Sequence, residues 1–138
     1  MQPSNELVAL TQRSLEAFAS GDPDRFFAQR ISQQEGVLAI ATDPNEWWSG
    51  HEKITELFKA QSEAMQGISI TNSAPLAYSE GTVGWIADRP TLRLPDGTDL
   101  PFRLTIVYHQ EEGQWRIVQW HASLGVANEV TFGEELPT

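Results

Sequence analysis

Asp88 stands in the run Trp85-Ile-Ala-Asp-Arg-Pro90, a carboxylate set among apolar neighbours at the end of a β-rich stretch. A carboxylate stripped of water is a stronger base, suited to taking a proton from a carbon acid or a bound water, so Asp88 is the first candidate for a general base. Arg103 and Thr105 supply a guanidinium and a hydroxyl that could orient a substrate, and Trp120 an indole that could wall it in. The competing expectation is an Asp88 that pairs with Arg89 or Arg103 at a sheet end. His109 opposes Arg116, whereas His121 opposes Leu104, five residues further along the same strand. At ~3.4 Å per residue that separation is too long for one metal ion, and His51 has no partner at ligand spacing. No nucleophile elbow, phosphate loop or dinucleotide fingerprint occurs, so neither metal nor organic cofactor is expected.

The strands that carry these residues set which of them meet. If Asp96-Gly97 and Glu112-Gly113 are two-residue hairpin loops, opposed residues sum to about 193 across the first hairpin and about 225 across the second. Asp88 then faces Thr105, and Thr105 faces Trp120. Pro90, Arg103 and Ala122 form the next row of that face, with Ile86, Val107 and Val118 on its other side. A carboxylate, a hydroxyl, an indole and a guanidinium ringed by aliphatic residues is the composition of a ligand pocket. The other face carries Trp85, Tyr108 and Ile117, then Ala87, Ile106 and Gln119, then Arg89, Leu104 and His121, a mixture suited to a dimer surface. A β-bulge would reverse part of this assignment.

Helices come first along the chain. Ser4 is an N-cap for a helix whose face carries Leu7, Val8, Leu15 and Phe18 and which ends near Gly21. Asp22-Pro23 opens a short second helix with Phe26 and Phe27. Val37 to Ala41 reads as a short strand. Ser49-Gly-His-Glu52 reads as a capping box for a third helix, with Ile54, Leu57, Phe58 and Met65 at helical spacing and an end near Gly67. Trp47 and Trp48 precede it, one expected in the core and the other at a pocket rim. From Ile68 the hydrophobic period becomes two, a meander of antiparallel strands. Helices before strands indicate an α+β domain: about three helices packed in the concave face of a strongly bent antiparallel or mixed sheet. A single domain is expected over residues 1–138, with a core over about 6–125 and an acidic arm over 126–138.

Composition narrows the function classes. With 19 acidic and 9 basic residues the formal charge is −10, which repels phosphate backbones and anionic lipid surfaces, so neither nucleic acid nor membrane is an expected partner. The chain has no cysteine, which removes disulfides and thiolate chemistry and fits a reducing cytoplasmic location. No stretch is apolar for long enough to act as a signal peptide or to span a bilayer as a helix.

Three local patterns resemble the nuclear transport factor 2-like superfamily and, within it, the SnoaL-like proteins. Gly21-Asp22 is similar to the break after the family's first helix. Thr42-Asp43-Pro44 with Ser49-Gly50 leading into Ile54 and Phe58 resembles the ketosteroid isomerase pattern. Gly113-Gln-Trp-Arg-Ile-Val-Gln-Trp-His-Ala-Ser123 resembles the last strand of the association domain of calmodulin-dependent kinase. The resemblance implies a cone-shaped fold, a homodimer formed through the sheet, and a pocket for a small, largely apolar or aromatic molecule. It also implies cofactor-free isomerisation, cyclisation, hydration or hydrolysis, or alternatively a dimerisation module without chemistry. Asp43 matches the isomerase's base, while the oxyanion tyrosine falls on Ser14 and its partner acid near Thr105, and a pocket arginine of the association domain falls close to Ala122. Neither oxyanion donor is reproduced, which argues against steroid isomerisation, and a turn-capping role competes at Asp43. Asp88, Arg103 and Asp43 are thus the catalytic candidates. Trp120, Thr105, Trp47, Trp48, Ile86, Val118 and Phe58 are the ligand-binding candidates.

Overall fold

A computed structural model of the chain describes residues 1–20 and 29–138. The expected second helix, at Asp22-Pro23 with Phe26 and Phe27, lies outside the described residues. Helix α1 (Asn5–Ala19) begins where the Ser4 hydroxyl accepts from the Leu7 N–H at 3.3 Å, capping one of the donors that a first helical turn leaves unpaired. Helix α2 (His51–Ala64) follows two short strands, β2 (Leu38–Ile40) and β3 (Trp47–Ser49). The capping box expected at its start does not form. Ser49 still pairs with Leu38 in the sheet, and the chain turns into the helix at Gly50, whose φ of 93° a residue with a Cβ adopts only under strain.

The remaining strands are β1 (Gln2–Pro3), β4 (Ser69–Thr71), β5 (Leu76–Glu80), β6 (Val83–Asp88), β7 (Thr91–Arg93), β8 (Asp99–Glu111) and β9 (Gln114–Leu124). They form one mixed sheet of order β1-β5-β6-β8-β9-β2-β3, in which β2 runs parallel to β9 and the other neighbours are antiparallel. Strand β8 pairs with β6 along one half and with β7 along the other, and the β7–β4 pair continues from there. This α+β architecture packs α1 and α2 on one face. Leu7, Leu10 and Leu15 of α1 and Ile54 and Phe58 of α2 bury against Ile86, Leu104, Ile106, Tyr108, Ile117 and Trp120, each such side chain contributing about 1.5–3 kcal/mol on leaving water. Gly84 permits the approach of α1: a Cβ there would run into the Leu7 side chain and lie 3.3 Å from the Tyr78 carbonyl. A short helix in the arm, labelled α3 (Asn128–Phe132), has no buried residue.

Two one-residue departures alter the expected register. The first hairpin loop has three residues, not two: Gly97 N–H donates to Leu94 C=O at 2.9 Å, and Leu94 N–H to Thr98 C=O at 2.8 Å. Pro95 thus takes the position of a type I turn that favours proline, with Gly97 left-handed at φ 89° after it. Asp88 therefore faces Leu104, not Thr105. The second hairpin turns over Glu112-Gly113 as expected, both at positive φ, and pairs Glu111 with Gln114. A bulge between Val107 and Tyr108 then leaves Val118 unopposed, so Trp120 faces Ile106, not Thr105. The two shifts cancel between β6 and β9, leaving Asp88 and Trp120 on the buried face, and they reverse β8. Leu104, Ile106 and Tyr108 point inward, while Arg103 and Thr105 point outward.

Candidate functional site

The helix-covered side of the sheet bounds an apolar cavity of about 200 Å³ between α1, α2 and the β7 end of the sheet. Phe58 of α2 is its aromatic centre. Trp120 of β9 meets Phe58 edge-on with ring centroids 5.2 Å apart, Trp48 does so from behind at 5.9 Å, and Phe18 of α1 at 6.4 Å. Leu92 and Phe102 close the β7 and β8 side. Among the described residues the polar side chains lining the cavity are Thr42, just beyond β2, and Gln61, one helical turn after Phe58. Gln61 is held from outside, its amide Nε2 donating to Glu46 Oε2, while Glu46 Oε1 accepts from the Asp43 N–H at 2.8 Å. That leaves the Gln61 carbonyl oxygen and the Thr42 hydroxyl as polar handles in an apolar chamber. No ionisable side chain of the described residues lines it.

The candidate residues separate around this cavity. Trp120 and Phe58 line it. Trp48 is buried in the aromatic cluster, and Trp47 on the neighbouring position of β3 is 64% exposed on the sheet's other side, away from any rim of the cavity. Ile86 lies in the core, and Val118 is the extra residue of the bulge. Asp88 is buried, but its oxygens are engaged elsewhere. Oδ2 accepts from Ser73 Oγ at 2.7 Å and Oδ1 from the N–H groups of Ala74 at 3.1 Å and Arg89 at 2.8 Å, so the carboxylate clasps the segment that joins β4 to β5. The expected side-chain pairing with Arg89 or Arg103 is replaced by these three donors. Asp43 is exposed and caps its own turn, Oδ1 accepting from Asn45 N–H at 2.8 Å. Ser14 donates to Leu10 C=O at 2.8 Å within α1.

Arg103, Thr105 and His121 line an open groove of about 720 Å³ on the outer face together with Ala87, Arg89 and Ser123, and Asp88 reaches the same groove from its edge. His121 lies on the face opposite the buried side of Asp88, as parity predicts, although its partner is Thr105 and not Leu104. Tyr108 occupies the inward position two residues beyond Ile106. It is fully buried, its hydroxyl is 3.0 Å from Thr11 Oγ1, and burial pushes its phenol far above the usual tyrosine range.

Sequence reasoning did not single out Gln61, Thr42, Phe18 or Phe102. A signal existed for Gln61, which interrupts the apolar stripe of α2 at the i+3 position from Phe58, with Met65 one turn further on. Thr42 and Phe102 are far apart in sequence and join the cavity through the tertiary fold.

A SnoaL-like domain family model matches residues 7–127. The chain belongs to the SnoaL-like domain family. No curated protein sequence matches it. Among solved structures, a nuclear transport factor 2-like protein of unknown function from Pseudomonas putida superposes with a TM-score of 0.79 at 16% identity, over 95% of this chain and 91% of the other. A protein from Xanthomonas campestris described as a candidate calcium/calmodulin-dependent protein kinase II association domain gives 0.71 at 21% identity, over 91% and 95%. A candidate ketosteroid isomerase from Parabacteroides distasonis gives 0.67 at 18% identity, over 86% and 85%. At these identities the likeness is one of fold.

Proposed function

We propose that this SnoaL-like domain binds a small, largely apolar or aromatic molecule in the cavity between Phe58 and Trp120. The observation that carries the reading is a chamber of about 200 Å³ with aliphatic and aromatic walls and two polar handles, Thr42 and Gln61. An engineered apolar cavity of about 150 Å³ takes up benzene, so the volume here suits one ring with a few substituents. Gln61, its amide nitrogen spent on Glu46, offers a carbonyl oxygen to a ligand hydroxyl or N–H. The favoured ligand is therefore a phenol, an alicyclic alcohol or an indole, not a bare hydrocarbon or an anion. In this assignment Asp88 is the clasp of the β4–β5 segment, and Arg103 and Thr105 belong to the outer face.

Thermal-shift titration with phenol, indole, cyclohexanol and benzene tests the reading. A ligand at about 100 times its Kd stabilises the fold by about 2.7 kcal/mol. The hydroxyl and N–H compounds should raise the melting temperature more than benzene, and Gln61→Leu should erase that difference. Ala122→Phe, which fills the cavity from β9, should abolish every shift. Shifts that persist in Ala122→Phe, or no shift with any of the four, would refute the proposal.

A second reading concerns self-association, and we infer that two copies pair through the outer face of the sheet. One cross-strand row there runs Leu76, Ala87, Thr105, His121, Ile40 and Trp47, with Leu76 68% and Trp47 64% exposed. The row sets exposed apolar residues at both ends of a polar centre formed by Thr105 and His121, an apolar and polar mixture found at protein interfaces, and the Xanthomonas structure described as an association domain shares the fold. Sedimentation equilibrium should give a dimer that Trp47→Glu dissociates; a monomer at every concentration would refute this reading.

A further inference from the structure

Resting on the sheet-face dimer, we propose that the acidic arm of each copy, residues 126–138, lies in the outer groove of the other copy, with its glutamates against Arg89 and Arg103. Asp88 lines the groove as well, yet no described carboxylate pairs with its two arginines. Asp88 pairs with Leu104 and Thr91 with Pro101, and Phe102 N–H donates to Pro90 C=O at 3.3 Å between them, so Arg89 stands directly across from Arg103. Like charges in that relation destabilise a sheet. Both arginines are exposed, and no carboxylate among the described residues forms an ion pair with either. The nearest in sequence, Asp88, has its oxygens on Ser73, Ala74 and the Arg89 backbone. His121 adds a third group that can carry positive charge, and the Thr105 and Ser123 hydroxyls lie between. This cationic row sits on a chain of formal charge −10.

The arm has the complementary chemistry, and among the described residues nothing covers its large apolar side chains. Residues 126–138 contain Glu129, Glu134 and Glu135 and no basic residue. Helix α3 is closed by a left-handed Gly133, whose N–H donates to Glu129 C=O at 2.9 Å, so the arm holds a defined turn. Yet Val126, Val130 and Phe132 are 62%, 77% and 63% exposed. An ordered turn that leaves its large apolar side chains in water is built for a surface the single chain does not supply. The arm also departs at the right place: Ser123 lines the groove opposite Arg103, and β9 ends at Leu124. A two-fold axis presents the same patch from each copy. It would bring four arginines together at the centre of a sheet-face dimer, and two acidic arms laid between the sheets would neutralise them.

The full-length chain tests this by charge exchange. Arg103→Glu should weaken the dimer by about tenfold or more, and so should the pair Glu134→Lys with Glu135→Lys, because each sets like charges against each other in a buried contact. Combining all three substitutions should restore most of the affinity. The chain has no cysteine, so copies carrying Ser123→Cys alone can be mixed with copies carrying Glu134→Cys alone and treated with a short bismaleimide. A crosslinked heterodimer is expected. A dimer whose affinity ignores the charge exchange, or a mixture that gives no crosslinked heterodimer while a chain carrying both cysteines crosslinks within itself, would overturn the arm exchange and leave the sheet-face dimer standing. A chain that is monomeric throughout would remove the dimer itself and the exchange with it.

Discussion

Replacing Asp88 separates a structural carboxylate from a chemical one. Three donors converge on it, two backbone N–H groups on Oδ1 and the Ser73 hydroxyl on Oδ2. Hydrogen bonds to a charged group are worth about 1.5–3 kcal/mol each, and a buried donor left without a partner costs about 1–3 kcal/mol. Ala74 is exposed, so water can replace its partner, which brings the cost of Asp88→Ala to about 3 kcal/mol. Asp88→Asn keeps more. Its amide oxygen can still accept from Ala74 and Arg89, and its NH₂ can donate to a rotated Ser73 hydroxyl, so only the charge assistance is lost, about 1 kcal/mol. For a domain of this size 1 kcal/mol corresponds to about 4 °C in melting temperature. Urea and thermal unfolding should therefore place Asp88→Asn about 4 °C and Asp88→Ala about 12 °C below the parent. Ligand affinity in the cavity should stay within about twofold for Asp88→Asn, since Asp88 does not line it. The refuting result is an Asp88→Asn protein of unchanged stability that has lost ligand binding or turnover by tenfold or more. That would return the carboxylate to the chemistry.

Two further substitutions test the packing that holds the cavity. Tyr108 keeps its proton more tightly folded than unfolded, because burial raises its pKa. Above the unfolded tyrosine pKa of about 10 the unfolded chain loses a proton that the folded chain retains, so stability present at neutral pH falls by up to about 1.4 kcal/mol per pH unit. Tyr108→Phe should remove that alkaline slope in urea midpoints measured from about pH 8 to about pH 11, at a cost near neutrality of about 1 kcal/mol for the Thr11 hydroxyl left behind; a slope unchanged by the substitution would contradict this account. Gly84→Ala should destabilise by about 1–3 kcal/mol through overpacking against Leu7, and a neutral result in chemical denaturation would mean that α1 is free to move outward.

Local chemistry made much of the fold legible. The Ser4 cap, the helical spacing of Ile54 and Phe58 and the Glu112-Gly113 turn are short-range signals, and the structure shows each of them. Phe58 and Trp120 were readable as walls because an aromatic on a helix stripe and one on a strand of known parity point to the same core. Which residues share a wall is decided at longer range. Asp96-Gly97 alone suits a two-residue loop, and Pro95 ahead of it is the only local sign of three. Nothing in Val107 to Trp120 marks the bulge, because an extra residue is accommodated only where the inward side chains of two sheet halves must both reach the core. One residue of slip turns every side chain of a strand to its other face. Residue order and spacing thus sufficed for the first and third expected helices, the meander, the family and the acidic charge. The packed fold was needed to show that Arg103 and Thr105 stand outside, that Asp88 is consumed by a loop, and that Thr42 and Gln61 line the apolar cavity.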